Sequence, residues 1–180
     1  MTGCGDTAHR LLVPAAILLG CVALAARPPA TVAAVLVVVA VGAIGALAPL
    51  PARDNIRPGR LSVPAVAALG VLTFLVARIA ARPLPAPLVP FTVAATITAA
   101  VAEELFFRQL VYGWLASAGE APAIAGSAAL FAVVHIPAYG MRALPIDLAA
   151  GVLFGWQRWA TGGWIAPAVT HAAANILQLL

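Results

Sequence analysis

Three ionisable side chains interrupt a stretch of sequence that is otherwise apolar enough to span a membrane. Glu103, Glu104 and Arg108 lie between Phe91 and Leu115, and this stretch contains no other charged residue. A charge at the centre of a bilayer costs about 2.5–3.5 kcal/mol on insertion scales, so these residues are expected to face a protein interior or a wet cavity. One arginine can neutralise only one of the two carboxylates. The remaining carboxylate is therefore a candidate for chemistry.

Helical geometry predicts different roles for the two glutamates. Glu104 and Arg108 are four residues apart, so they meet on one face of a helix with the glutamate on the favourable N-terminal side. Glu103 is rotated by about 100° from Glu104 and does not face that arginine. We therefore expect Glu104 and Arg108 to form a structural ion pair and Glu103 to be free to hold a water molecule.

Two histidines and an asparagine lie at helical spacing in the later hydrophobic segments. His135 follows Phe131 by one turn, and Pro137 is expected to end their helix near His135 because the residue before a proline disfavours helical geometry. His171 and Asn175 share one face of the last helix and are separated only by alanines. Such residues often serve only as hydrogen-bonded contacts between helices. Their presence alongside the two glutamates favours a reactive site.

These side chains have the components of a hydrolytic site. A carboxylate and an imidazole that meet at one water molecule can deprotonate it, as Glu103 and His135 could. An amide and a second imidazole can donate hydrogen bonds to the oxyanion of an attacked carbonyl, as Asn175 and His171 could. The reaction that fits these parts is peptide hydrolysis. Glu103, His135 and His171 could instead bind a zinc ion with an open water position, and spacing alone does not choose between the two mechanisms.

The composition predicts the helices that must position these residues. Of the 180 residues, 63% are hydrophobic and 9% are charged, whereas a soluble domain has about 25% charged residues. We predict an all-α, polytopic membrane helix bundle that forms a single domain over residues 1–180, with residues 1–90 free of motifs and residues 91–180 catalytic. The seven predicted transmembrane helices are Leu11–Ala26, Thr31–Leu50, Ser62–Ala81, Phe91–Ser117, Pro122–His135, Ile146–Thr161 and Trp164–Leu180.

Smaller features complete the expected organisation. Gly151 and Gly155 form a small-xxx-small pattern that predicts close packing between helices. Asp147 is expected to cap its helix at the membrane interface, and Ser127 is expected to be a small contact residue rather than a nucleophile. Proline-rich and glycine-rich segments around residues 49–60, 83–87, 119–122 and 162–163 are predicted linkers.

The ten basic residues are all arginines and are scattered at helix ends, which argues against binding of nucleic acid. If the helices alternate in direction, five arginines share one side of the membrane and four share the other. The first group is Arg10, Arg53, Arg57, Arg60 and Arg158, and the second is Arg27, Arg78, Arg82 and Arg142. The positive-inside rule then predicts an N-terminus on the inner side and a site that opens outward.

The polar motifs resemble those of a known family. Glu103-Glu104-x-x-x-Arg108, Phe131-x-x-x-His135 and His171-x-x-x-Asn175 occur in the order seen in the CAAX protease and bacteriocin-processing (CPBP or Abi) family of intramembrane endopeptidases. The resemblance covers about residues 99–180. It implies an α-helical membrane protease that cleaves near the C-terminus of a membrane-anchored protein, and short members of this kind resemble enzymes that remove C-terminal anchors during sorting.

The resemblance also implies a role for each matching residue. Glu103 and His135 correspond to the pair that activates water, and His171 and Asn175 correspond to the pair that stabilises the oxyanion. The supporting residues are Glu104, Arg108 and Phe131. A glutamate-type mechanism without a cofactor is favoured because an asparagine is a poor zinc ligand and a good oxyanion donor, with zinc held as the open alternative.

The expected partners are a membrane-anchored protein or peptide substrate and the lipid bilayer of a prokaryotic cytoplasmic membrane, with no nucleic acid. Two other classes of protein remain alternatives. A non-catalytic immunity or scaffold protein of the same fold is disfavoured by the intact set of Glu, His and Asn residues. A proton-coupled transporter is disfavoured because the sequence shows no internal repeat.

Overall fold

The computed structural model describes residues 3–28, 31–48, 60–81 and 90–180, which form an all-α protein with no strand in those ranges. The helices are α1 (Gly3–Ala25), α2 (Val32–Leu47), α3 (Val63–Ala81), α4 (Pro90–Glu104), α5 (Tyr112–Leu115), α6 (Glu120–Tyr139), α7 (Leu144–Thr161) and α8 (Ile165–Leu179). The predicted all-α class is confirmed. The predicted linkers around Arg53 and Pro85 lie outside the described residues.

The predicted helix Phe91–Ser117 forms part of one continuous helical segment, Pro90–Ala118, which we call the rod and whose helical geometry changes along its length. A π-helix over Leu105–Val111 joins α4 to α5, and a 3-10 turn over Ala116–Ala118 follows. In a π-helix the hydrogen bonds join residues five apart rather than four, and such segments occur frequently at functional sites. The rod ends at Gly119, whose φ of 118° suits a residue without a side chain.

Helix α6 continues beyond its predicted end at His135. It runs to Tyr139 with Pro137 inside it, and the amide of Gly140 then bonds to the carbonyl of Ile136 at 2.7 Å. The prediction was wrong because a proline in the last turn removes a single backbone hydrogen bond and leaves the rest of the turn intact. His135 therefore lies inside α6, one turn before the helix ends, rather than at the helix end itself.

Two of the seven predicted spans meet the length and hydropathy of a membrane-crossing helix. These are α3 and α6, whereas the apolar parts of α1 (Leu11–Ala25) and α2 are shorter. Within the described residues, a bundle of seven full spans is thus not confirmed. Large apolar side chains on α1 and α2 are nevertheless well exposed, including Leu18 and Leu36 at 66% and 64%. This outward face suits contact with lipid.

Two glycines in α7 allow that helix to pack closely against α6. A side chain on Gly151 would place its Cβ 2.9 Å from Cα of Ala128, and Gly155 approaches Ile124 similarly. The predicted close packing of the Gly151 and Gly155 face is confirmed. Ser127 is fully buried in the same interface and donates a hydrogen bond to the carbonyl of Ile124 at 3.3 Å, as a contact residue would.

A buried amide ties α7 to α3 and α8. The Gln157 Nε2 group donates to the carbonyl of Val66 at 3.0 Å and to the Thr170 hydroxyl at 2.9 Å. Gln157 and Thr170 are both fully buried, so loss of either partner would leave an unsatisfied polar group. This contact fixes α8 immediately before His171 and thereby helps to place that imidazole.

Candidate active site

The structure brings Glu103 and both predicted histidines together although they come from three different helices. Glu103 lies in the last turn of α4, His135 in α6 and His171 in α8. The Glu103 Oε2 atom is 3.6 Å from Nε2 of His135 and 3.9 Å from Nε2 of His171. All three residues are buried, at 3–5% exposure. One oxygen of the Glu103 carboxylate therefore faces the Nε2 atoms of both imidazoles.

The His135 ring is oriented by its own helix. Its Nδ1 atom lies 2.7 Å from the carbonyl oxygen of Phe131, which accepts a hydrogen bond and so requires a proton on Nδ1. The ring packs on Phe131 at 4.5 Å between centroids and stacks on Tyr139 at 5.7 Å. In the neutral imidazole, Nε2 therefore carries a lone pair that faces Glu103. The predicted turn between Phe131 and His135 is what makes this orientation possible.

The His171 ring is oriented by the second glutamate. Its Nδ1 atom lies 2.9 Å from Oε1 of Glu104, and the ring stacks on Phe154 at 5.0 Å with an interplanar angle of 22°. A carboxylate can only accept, so Nδ1 of His171 carries the proton. Glu104 therefore does more than pair with an arginine, since it also fixes the direction of the second imidazole.

The predicted Glu104–Arg108 ion pair is present and fully buried. Arg108 Nε lies 3.2 Å from Glu104 Oε2, with both side chains at 0% exposure. The guanidinium lies 5.2 Å from the centroid of the Phe131 ring and 5.4 Å from that of Phe154. It also donates to the carbonyl of Gly151 at 3.4 Å. The pair is enclosed by aromatic rings that also contact the two histidines.

Glu103 is not free, in contrast to the prediction from helical spacing. The Arg27 NH1 group lies 2.6 Å from Glu103 Oε1, and the arginine side chain is only 11% exposed. Arg27 lies two residues after the end of α1, within the first 90 residues that carry no motif. Burial opposes the charged guanidinium, but the charge and hydrogen bond of Glu103 outweigh this and raise the pKa of Arg27 above its ordinary value. Arg27 thus stays cationic.

The four fixed charges at the centre cancel. Glu103 is balanced by Arg27, and Glu104 is balanced by Arg108. A buried cluster with no net charge avoids the large desolvation penalty of an uncompensated ion.

The cluster opens into a cleft of about 560 Å³ at one end of the bundle. Asn175 lines this cleft one turn after His171, as its spacing predicts. Residues that the sequence did not indicate also line it, among them Arg27, Tyr139 and Asp147. Asp147 lies in the first turn of α7, near the helix start as expected, and its buried Oδ2 atom has no hydrogen-bond partner among the described residues.

Arg158 lies in the last turn of α7, at a helix end as predicted, but its side chain is buried. It is 5% exposed, and its Nε donates to the carbonyl of Arg108 at 2.9 Å. Its guanidinium lies 5.2 Å from the centroid of the Tyr112 ring.

Both carboxylates of the cluster are already engaged by other side chains. Within the described part of the chain, no group of three or more His, Cys, Asp and Glu side chains has an arrangement that could hold a metal ion. The carboxylate of Glu103 is shared with a guanidinium, and that of Glu104 with a guanidinium and an imidazole.

An all-α bundle with a buried Glu/His cluster at the base of a cleft has the components of a membrane hydrolase that activates water. A family model described as type II CAAX prenyl endopeptidase Rce1-like matches residues 85–177, more than half of the chain. The protein therefore belongs to this family of integral membrane, CAAX-protease-like peptidases. The match confirms the resemblance to the CAAX protease family. Searches of the curated proteins and of the solved structures gave no match.

Proposed function

We propose that the protein is an intramembrane endopeptidase that hydrolyses a peptide bond near the C-terminus of a membrane-anchored protein. The observation that carries this proposal is the position of Glu103 Oε2, which faces Nε2 of His135 at 3.6 Å and of His171 at 3.9 Å inside the cleft. Family membership supports the same reaction class.

The separation between Glu103 and His135 suits a bridging water molecule. At 3.6 Å the two atoms are too far apart for a direct hydrogen bond and close enough for one water to donate to both. Nε2 of neutral His135 and Oε2 of Glu103 are both acceptors, so both water protons would be engaged. The lone pairs of the water oxygen would then face the substrate carbonyl, and Glu103 would take the proton as the oxygen attacks.

The oxyanion of the tetrahedral intermediate would be stabilised by His171 and Asn175. Because Nδ1 of His171 donates to Glu104, its Nε2 would be a donor only when the ring carries a second proton. The side-chain amide of Asn175 provides a neutral donor on the same wall. The proton held by Glu103 would pass to the leaving amine, which restores the cluster.

A glutamate-type reaction agrees better with these charges than a metal-dependent one. A divalent cation on Glu103, His135 and His171 would lie beside the Arg27 guanidinium, on a carboxylate that is already balanced. The residues therefore suit a water molecule better than zinc.

A role in removing C-terminal anchors during sorting, in a prokaryotic cytoplasmic membrane, is proposed from the family resemblance alone. The substrate that tests this role is a protein whose C-terminal helix is its only membrane anchor.

Cleavage of tagged, membrane-anchored substrates by purified protein in liposomes tests the proposed mechanism. We expect Glu103→Gln and His135→Ala each to reduce the cleavage rate by about 10²–10⁴-fold, as loss of a general base does. Glu120→Gln makes the same chemical change at an exposed glutamate at the start of α6 and should leave the rate unchanged.

Two outcomes would contradict the proposal. Cleavage that survives both Glu103→Gln and His135→Ala would exclude the water-activating pair. Loss of wild-type cleavage on treatment with a chelator, reversed by zinc, would replace the glutamate-type mechanism with a metal-dependent one.

A further inference from the structure

Arg27 occupies a position that conflicts with the activity proposed for Glu103. A general base must accept a proton, and a carboxylate with a guanidinium 2.6 Å away is a weak acceptor. The contact is short and largely shielded from water, since the two side chains are 11% and 4% exposed. In this resting arrangement the base, Glu103, is therefore paired with a counter-ion, Arg27.

Arg27 can leave Glu103 only if another anion replaces the carboxylate. A buried guanidinium without a partner is costly, and its pairing with Glu103 keeps it charged. Arg27 lines the cleft and, among the described residues that do so, it is the only arginine. It also interacts with the phenol of Tyr139, whose side chain is 64% exposed at the cleft. Among the described lining residues, Arg27 therefore provides the guanidinium that an anion entering the cleft can bind.

We propose that Arg27 binds the free C-terminal carboxylate of the substrate and, in doing so, releases Glu103 to activate water. This inference rests on the proposed function, because it concerns the same cleft and the same base. A planar guanidinium matches a carboxylate with two parallel hydrogen bonds. A substrate whose cleaved bond lies near its C-terminus brings such a carboxylate into the cleft together with the bond. The exchange leaves the number of ion pairs unchanged and requires no proton transfer by Arg27.

Arg27 would then be a specificity-determining residue. It would couple binding of the substrate's C-terminal carboxylate to release of the Glu103 carboxylate, which could then accept a proton. The alternative is a purely structural role in which Arg27 holds the Glu103 side chain in place. The two roles differ in one respect, since only the first makes the effect of Arg27 depend on the chemistry of the substrate terminus.

The test uses two membrane-anchored peptides of one sequence, one ending in a free carboxylate and the other in an amide. The ratio of kcat/KM for the acid to that for the amide is measured for wild type, Arg27→Gln, Arg27→Lys and Arg142→Gln. Hydrogen bonds to a charged group contribute about 1.5–3 kcal/mol, so wild type should prefer the acid by about 10–150-fold. Arg142 is exposed in the turn between α6 and α7 and serves as the matched loss of one positive charge.

We expect Arg27→Gln to lower the ratio to about one and Arg142→Gln to keep the wild-type ratio. Arg27→Lys keeps the charge without the planar fork and should give an intermediate ratio. A wild-type ratio of one, or an equal fall for both peptides in Arg27→Gln with the ratio preserved, would overturn the inference and leave the proposed protease intact. Failure of wild type to cleave either peptide would instead overturn the proposed function, and the inference would fall with it.

A binding measurement covers the case in which Arg27→Gln folds poorly. A short product-like peptide with a free carboxylate should inhibit wild type more strongly than its amide, and Arg27→Lys should reduce this difference. Equal inhibition by both peptides in wild type would contradict recognition of the carboxylate.

Discussion

Glu103 and Glu104 are adjacent in sequence, yet arginines from distant parts of the chain balance them. Glu104 pairs with Arg108 four residues later, while Glu103 pairs with Arg27, which lies 76 positions earlier. Adjacent positions on a helix point in different directions, so each carboxylate meets a different set of helices. One glutamate can thus orient an imidazole while the other faces the cleft.

The buried ion pair gives a prediction at the residue scale. Arg108→Met should lower the free energy of unfolding by about 3–5 kcal/mol, because it leaves the Glu104 carboxylate buried without its counter-ion. The double variant Glu104→Gln with Arg108→Met should regain most of this loss, since glutamine removes the charge and keeps an oxygen that can accept from His171. Thermal unfolding in detergent measures both effects.

Arg142→Met is the control for that experiment because it removes an exposed guanidinium. A double variant that is less stable than Arg108→Met alone would show that the charge of Glu104 is not the source of the instability.

Local spacing explains which of these contacts the sequence could predict. The Glu104–Arg108 pair and the Phe131–His135 turn follow from helical periodicity, and both are present. The contact of Arg27 with Glu103 could not be predicted, because an arginine that follows an apolar helix and precedes a proline resembles an ordinary interfacial anchor. Pairing across 76 positions depends on how α1 packs, which no periodic pattern encodes.

At the scale of elements, α2 packs directly against the rod that carries the glutamates. A Cβ on Gly45 would lie 2.5 Å from the carbonyl oxygen of Leu105, and one on Gly42 would lie 2.6 Å from Cβ of Ala102. The backbones approach so closely that no side chain fits between them. The position of the π-helix therefore depends on a helix that lies outside the matched family region.

Gly45→Ala tests this dependence. Alanine is favoured over glycine in a helix by about 1 kcal/mol, so any loss of stability must come from the clash with Leu105. Overpacking of this kind costs about 1–3 kcal/mol, and we expect a lower melting temperature together with slower cleavage. Gly163→Ala is the matched control, since no atom of the described residues lies within 4 Å of the added atom. An unchanged melting temperature for Gly45→Ala would contradict the close approach of α2.

The sequence predicted the existence of the helices better than their ends or internal geometry. Hydropathy marks apolar surface, so it did not locate the start of α1 at Gly3, ahead of its apolar part. It also could not reveal the π-helix, because Leu105–Val111 reads as ordinary helical sequence. Pro137 was given too much weight because the cost of a proline depends on how close it lies to the helix end.

At the scale of the whole molecule, the two ends of the bundle can be identified from contacts between helices. Arg78 Nε in the last turn of α3 donates to the carbonyl of Leu177 at 2.8 Å, near the end of α8 and the cleft. Leu61, just before α3, donates its amide to the carbonyl of Ala160 at the end of α7. Leu61 and the cleft therefore lie at opposite ends of α3.

This arrangement predicts which residues share a side of the membrane. Cysteines introduced at Met141 and at Leu61, exposed by 63% and 51%, should react with an impermeant maleimide from opposite sides. The background is Cys4→Ser with Cys21→Ala. Labelling of both positions from the same side would show that α3 does not cross the bilayer. The side that labels Met141 also establishes the side on which the cleft opens.

The wide turn at Leu105–Val111 has a consequence for comparing this chain with its relatives. A π-helix accommodates one more residue per turn than an α-helix of the same direction, and thus behaves like a local insertion. A relative with a regular helix here would be one position shorter between the glutamates and Tyr112. An alignment should place a single gap inside this stretch, and a gap-free alignment of the whole rod would pair every later position with the wrong counterpart.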